Sequence, residues 1–205
     1  GKTYRANWGD AELKTADVGS LSTAALPGAA ELVWASFPCQ DLSLAGAGAG
    51  LKGERSGTFW PFWELMKALG ADGRAPRIIV LENVCGTLTS HGGKDFATIC
   101  GALKESGYKF GALVIDAALF VPQSRPRLFF IAVRGDVAIP DELASAQAYD
   151  PWHTRGLRHA QKKLSPKVQA NWIWWTLPTP AKRNTTFADL IEEEPADVDW
   201  HTREE

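Results

Sequence analysis

Arg77-Ile78-Ile79-Val80-Leu81-Glu82-Asn83-Val84 is the stretch on which the fold turns. Its apolar run, β-branched at Ile78, Ile79 and Val80, reads as a strand buried on both faces of a parallel sheet. The run stops at a carboxylate and an amide. Residues 32–36, Leu-Val-Trp-Ala-Ser, follow the same plan and lead directly into Phe37-Pro38-Cys39-Gln40. Between the two runs, Phe62, Leu65, Met66 and Leu69 recur at helical spacing, with Pro61 suited to a first turn and Gly70 to a stop. A second helix is predicted over 94–106, with Phe96, Ile99, Cys100 and Leu103 on one face and Gly107 as its C-terminal cap. Strands are predicted over 108–117 and 128–133, around a turn that carries Gln123, Arg125 and Arg127. The alternation implies an α/β sheet covered on both faces. In such sheets ligands gather beyond the carboxyl ends of the strands, where these polar clusters fall.

With 205 residues, 45% of them hydrophobic, the chain can build one substantial core. Its formal charge of -2 supplies no overall basic footprint, which argues against a tight non-specific nucleic-acid binder but not against an enzyme with local contacts. Cys39, Cys85 and Cys100 show neither a disulfide framework nor a zinc-ligand spacing. A reducing, cytoplasmic setting without metal is the expectation, and no stretch approaches the roughly 18 apolar residues of a membrane span. From about Asp136 the texture changes to Pro, Trp, Arg and acidic residues, so residues 1–135 read as the main domain and 136–205 as an extension. Its tryptophans are expected to pack a satellite core, and Glu192-Glu193-Glu194 to form a solvated face.

Cys39 follows a proline at a strand-to-loop junction, where a stabilised thiolate would be a nucleophile. By itself it reads sooner as a small buried hydrophobe, and it is the following loop that turns the reading toward a nucleophile. The glycine-rich loop after it suits closure over a ligand, with Lys52 and Arg55 in reach of phosphates, or a plain linker. Glu82, after four apolar residues, should be partly desolvated and able to donate a proton to a ring nitrogen; a satisfied strand-end carboxylate is the plainer alternative. Arg125 and Arg127, two apart on an extended segment, can both face an oxygen-bearing ligand or Glu82, and Gln123 shares their side. None of the four histidines pairs with Cys39 in a local signature, which weakens a cysteine-hydrolase reading.

In order and spacing, Phe37-Pro38-Cys39-Gln40, Glu82-Asn83-Val84 and Gln123-x-Arg125-x-Arg127 resemble successive motifs of the DNA (cytosine-5) methyltransferases, over roughly residues 4–134. The resemblance implies a Rossmann-like S-adenosylmethionine-dependent methyltransferase sheet and duplex DNA as partner. It implies that Cys39 attacks C6 of a flipped cytosine, that Glu82 binds N3 and the exocyclic amine, and that Arg125, with Arg127 nearby, holds O2 and supports Glu82. Asn83 would fix the loop at Pro38-Cys39. Gln40 and Ser43 match positions near the DNA backbone, and Gln123 belongs to the same substrate side. For the cofactor, Asp17 would accept from the adenine amino group, with Val18, Pro38 and Phe59 lining the pocket. The style is that of a bacterial restriction-modification or phage enzyme, hence cytoplasmic.

The family's opening Phe-x-Gly-x-Gly turn has no counterpart before Asp17, and little follows residue 194 that could read a target sequence. The expectation is therefore a catalytic-half fragment, incomplete at its N-terminal part and inactive by itself. An RNA (tRNA) cytosine-5 methyltransferase on the same fold, or a catalytically silent DNA-binding remnant, remain the alternatives.

Overall fold

The computed structural model describes residues 1–11, 13–38 and 58–192. Its centre is a four-stranded mixed sheet. The strands are β1 (Leu32–Ser36), β2 (Ile78–Val84), β3 (Tyr108–Asp116) and β4 (Pro126–Arg134), in the order β1-β2-β4-β3. β1 and β2 are parallel, and β4 runs antiparallel to both its neighbours. The parallel pairing expected of the two apolar runs is present between β1 and β2, and β3 joins the sheet as an antiparallel neighbour of β4. The physical reason lies in the link from β3 to β4: it spans residues 117–125, too few for the crossover that parallel neighbours need.

The two predicted helices are both present, and a third that was not predicted opens the chain. α1 (Lys2–Trp8) is exposed and buries nothing. α2 (Phe59–Ala71) buries Phe59, Trp63, Leu65, Met66 and Leu69. α3 (Lys94–Glu105) buries Phe96, Ile99, Cys100 and Leu103, and Gly107 beyond it takes φ 81, a left-handed conformation that glycine adopts without a Cβ penalty. β4 begins earlier than the predicted strand, at Pro126, and so takes in Arg127.

The period of two sorts the strands into two faces. Ile79, Leu81, Leu128, Phe130, Ala132, Phe110 and Ala112 face α2 and α3 in the main core. On the opposite face, Leu113 and Val133 pack against Trp152 and Trp175 of the C-terminal segment. Those two tryptophans form the expected satellite core, whereas Trp172 and Trp174 pack against the main one. The C-terminal segment contributes β5 (Ala144–Ser145), α4 (Arg155–Lys162), α5 (Pro166–Gln169) and β6 (Trp174–Trp175), with β5 and β6 paired antiparallel. It also covers the outer edge of β3: the Phe110 N–H donates to the Asn171 carbonyl at 2.9 Å, and the Ile173 N–H to the Phe110 carbonyl at 2.7 Å. Coverage of both faces, expected from the sequence, fails at β1, where Leu32 and Trp34 are 53% and 58% exposed. No described helix is long and apolar enough to cross a membrane.

Candidate active site

Glu82 and Asn83 are consecutive on β2, so their side chains leave opposite faces of the sheet. Glu82 stands opposite Phe129 of β4, and Val84 opposite Arg127. Directly opposite residues share a face, which puts Arg127 diagonally beside Glu82. The Arg127 Nε donates to Glu82 Oε1 at 3.0 Å, with both side chains about one-fifth exposed. The carboxylate is thus partly desolvated, as expected, and already held by a guanidinium.

Asn83 points the other way, into the core, and is 2% exposed. Its Nδ2 donates to the Phe37 carbonyl at 3.2 Å, and its Oδ1 accepts from the Val84 N–H at 2.8 Å. A buried amide needs such partners. They tie the end of β2 to the peptide that precedes Pro38, and so to the start of the segment carrying Cys39. Cys39, Gln40 and Ser43 lie outside the described residues, as do Lys52 and Arg55 of the glycine-rich loop.

The turn before β4 is organised by a residue to which the sequence reading gave no role. Asp116, at the end of β3, accepts from the Arg125 N–H at 2.7 Å, the Ala118 N–H at 3.0 Å and the Ser124 hydroxyl at 2.9 Å. The Ala118 and Arg125 N–H groups hold its carboxyl below the ordinary value. The signal available in the sequence was an aspartate at a strand end, a residue that caps its own following backbone. Arg125 and Gln123 are both exposed on this turn. Arg127, inside the strand, is the arginine that reaches Glu82. Cys85, next after Val84, has its thiol pushed up by burial, against the opposing charge of Arg127.

Beside Phe37 and Pro38 lies a cavity of about 330 Å³, lined by Ala16, Asp17, Val18, Ala35, Ser36, Phe37, Pro38, Thr58 and Phe62. Asp17 caps a short 3-10 turn at 18–20, its Oδ1 accepting from the Gly19 N–H at 2.8 Å. The wall is mainly apolar, with a carboxylate at the rim, a lining suited to a flat heterocycle carrying an amino group. Asp17, Val18 and Pro38 therefore come together. Phe59 is fully buried, tilted against Phe37 at 5.4 Å and stacked on Trp63 at 5.8 Å, and the aromatic residue of α2 that lines the cavity is Phe62. Phe62 sits three residues into the same helix, and helix periodicity decides which of the two rings turns outward. No metal-binding cluster occurs among the described residues.

Comparison with known proteins bears on this geometry. The model of a family described as C-5 cytosine-specific DNA methylase matches residues 1–204. An orphan methyltransferase, M.SPRI of Bacillus phage SPR, is 31% identical over 185 residues, which are 90% of this chain and 40% of that protein. The type II methyltransferase M.BsuFI of Bacillus subtilis is 32% identical over 141 residues, 68% of this chain and 32% of its own length. The chain thus spans well under half of these relatives. Among solved structures, a methyltransferase of Entamoeba histolytica superposes with a TM-score of 0.53 at 20% identity, over 64% of this chain and 41% of its own. A DNMT2 variant of Spodoptera frugiperda gives 0.51 at 21%, over 68% and 40%. These two likenesses concern the fold.

Proposed function

This chain belongs to the C-5 cytosine-specific DNA methylase family, and on that premise we propose that it carries the catalytic part of a DNA cytosine-5 methyltransferase, acting in the bacterial cytoplasm without a metal. The observation that carries the reading is the pairing of Arg127 with Glu82 at 3.0 Å, beside a strand end that Asn83 ties to Phe37, two residues before Cys39 in the sequence.

The thiolate of Cys39 adds to C6 of an extruded cytosine, and the electron pair of the C5–C6 double bond moves toward C5 and the ring's N3 and O2. Glu82 meets that charge at N3 by donating or sharing a proton, and accepts from the exocyclic amine. Arg127 orients Glu82, and Arg125 supplies a donor for O2. S-adenosylmethionine, when bound, would supply the methyl group as an electrophilic carbon, its bond to the sulfonium sulfur breaking as C5 takes it up and S-adenosylhomocysteine leaving. Loss of the C5 proton to a base then regenerates the double bond and expels Cys39. Asp17, Val18, Pro38 and Phe62 form the surface suited to the adenine end of that cofactor, with the Asp17 carboxylate as acceptor for its amino group.

The test is methyl transfer from labelled S-adenosylmethionine. The matching 185 residues of the phage relative are replaced by those of this chain, and the chimera is given duplex DNA in one arm and tRNA in another. Label on C5 of cytosine in duplex DNA, lost with Cys39→Ser, is the expected result. A folded chimera that labels only tRNA, or neither, would overturn the reading.

A further inference from the structure

The whole-chain charge of -2 conceals a strong segregation. Residues 151–188 contain seven Lys and Arg and no Asp or Glu. α4 and α5 turn much of that charge outward. On α4 the buried positions are Leu157 and Ala160, followed by Leu164 just beyond the helix, and all three join the main core together with Leu88. Leu88 ends the turn Cys85–Leu88, which directly follows Glu82-Asn83-Val84, and α4 packs against that turn. The core contact therefore fixes which way the polar side of α4 points.

That polar side is a stripe. Arg155, Arg158, His159 and Lys162 fall at intervals of three and four, the spacing of one helical face. Arg158 is neutralised by Asp150, 2.6 Å away. Arg155, Lys162 and Lys163 are exposed, as is Lys167 on α5, and none of the four forms an ion pair among the described residues. Helix stability does not account for the set. Cations in a last turn complement the helix dipole, but Arg155 occupies the first turn, where a cation opposes it.

We propose that Arg155, Lys162, Lys163 and Lys167 form a phosphate-binding stripe that takes the backbone of duplex DNA next to the extruded base. The assignment of the polyanion as DNA rests on the methyltransferase reading above. Contacts of this kind position the duplex without reading its sequence. They also answer the composition argument, because exposed charges act over a Debye length of about 8–10 Å and not over a whole chain.

The experiment compares the full chain with a variant carrying Arg155→Ala, Lys162→Ala, Lys163→Ala and Lys167→Ala, with circular dichroism and a thermal melt to establish that the variant is folded. Binding to two unrelated duplexes and to one RNA duplex is measured across a salt series. Each phosphate contact contributes about 0.9 to the slope of log affinity against log salt. The variant is expected to lose between about three and four in that slope, and tenfold or more in affinity for both DNA duplexes alike. A folded variant within twofold of the parent, no measurable binding by the parent, or equal binding of the RNA duplex with the same loss, would overturn the proposal. Cys39→Ser separates this from the chemistry. Binding kept and methyl transfer lost in the quadruple-alanine chimera leaves the stripe wrong. Methyl transfer absent from the parent chimera, with the slope change present, leaves the catalytic reading wrong.

Discussion

Arg127 reaches Glu82 diagonally across two antiparallel strands, Nε to Oε1 at 3.0 Å, while Arg125 holds the preceding turn through its backbone N–H to Asp116. Two arginines separated by one residue therefore do different work. In the chimera, Arg127→Ala is expected to lower single-turnover methyl transfer by about 10²–10³-fold, the usual loss when one positioned donor is removed from a site of developing charge. Arg127→Lys keeps the charge but not the fork, and is expected to recover only part of the loss. A rate within threefold of the parent for Arg127→Ala would contradict the assignment.

Asp116 positions the turn rather than touching a reactant. Asp116→Ala removes the acceptor for Ala118, Ser124 and Arg125 together. Asp116→Asn keeps an oxygen for the two N–H groups. The alanine variant should show faster amide exchange at Arg125, and the asparagine variant should restore most of the protection. Exchange at Arg125 that ignores both substitutions would remove Asp116 from the account.

Asn83→Ala leaves the Phe37 carbonyl without its buried donor, and one uncompensated buried group costs about 1–3 kcal/mol. A urea titration should show the midpoint falling by that free energy divided by the slope, with the slope itself unchanged. The same substitution is expected to slow reaction at Cys39 more than Thr89→Ala, a change at an exposed hydroxyl after the next turn.

At Gly111 the C-terminal segment lies directly against the sheet. A Cβ placed there would lie 1.8 Å from the Ile173 carbonyl oxygen, a backbone atom that cannot rotate away. Gly111→Ala should therefore cost about 1–3 kcal/mol or more. Tryptophan fluorescence should change with it, since Trp175 Nε1 also lies 2.9 Å from that Cβ position.

His153 is fully buried between Tyr149 and Trp174, and its Nδ1 accepts from the Tyr149 N–H at 3.1 Å. Burial, with the charge of Arg158, lowers its pKa from 6.5 to about 4. The unfolded chain takes up this proton first, near pH 6.5. Its contribution to stability is then complete above pH 6.5 and is lost as the pH falls toward 4, by up to about 3 kcal/mol. His153→Phe should flatten the stability profile over that window relative to the parent. Identical profiles would place the imidazole in water.

The sequence was most legible where period and composition agreed. The run ending in Glu82-Asn83 placed β2, and Gly107 stopped α3 where a left-handed residue was needed. Strand direction was not legible in the apolar runs: β4 is as apolar as β2, yet it lies antiparallel to β3 because of the short link between them. Arg127 and Arg125 looked equivalent because the period of two put both on one side; only the start of β4 at Pro126 separates them. The α4 stripe was hidden by an average, since acidic residues elsewhere cancel its charge. Phe59 and Phe62 differed by less than a helical turn, and a motif match gives no rotation.

The most direct measurement is covalent capture on a duplex containing 5-fluorocytosine, where fluorine at C5 blocks the final elimination. The chimera is incubated with that duplex and S-adenosylmethionine, digested, and the adduct located by mass spectrometry. An adduct on the peptide containing Cys39, absent with Cys39→Ser and strongly reduced with Glu82→Gln, is the expected result. A folded chimera that binds the duplex yet forms no adduct, or forms it on Cys85, would contradict the central claim that Cys39, Glu82 and Arg127 make one site.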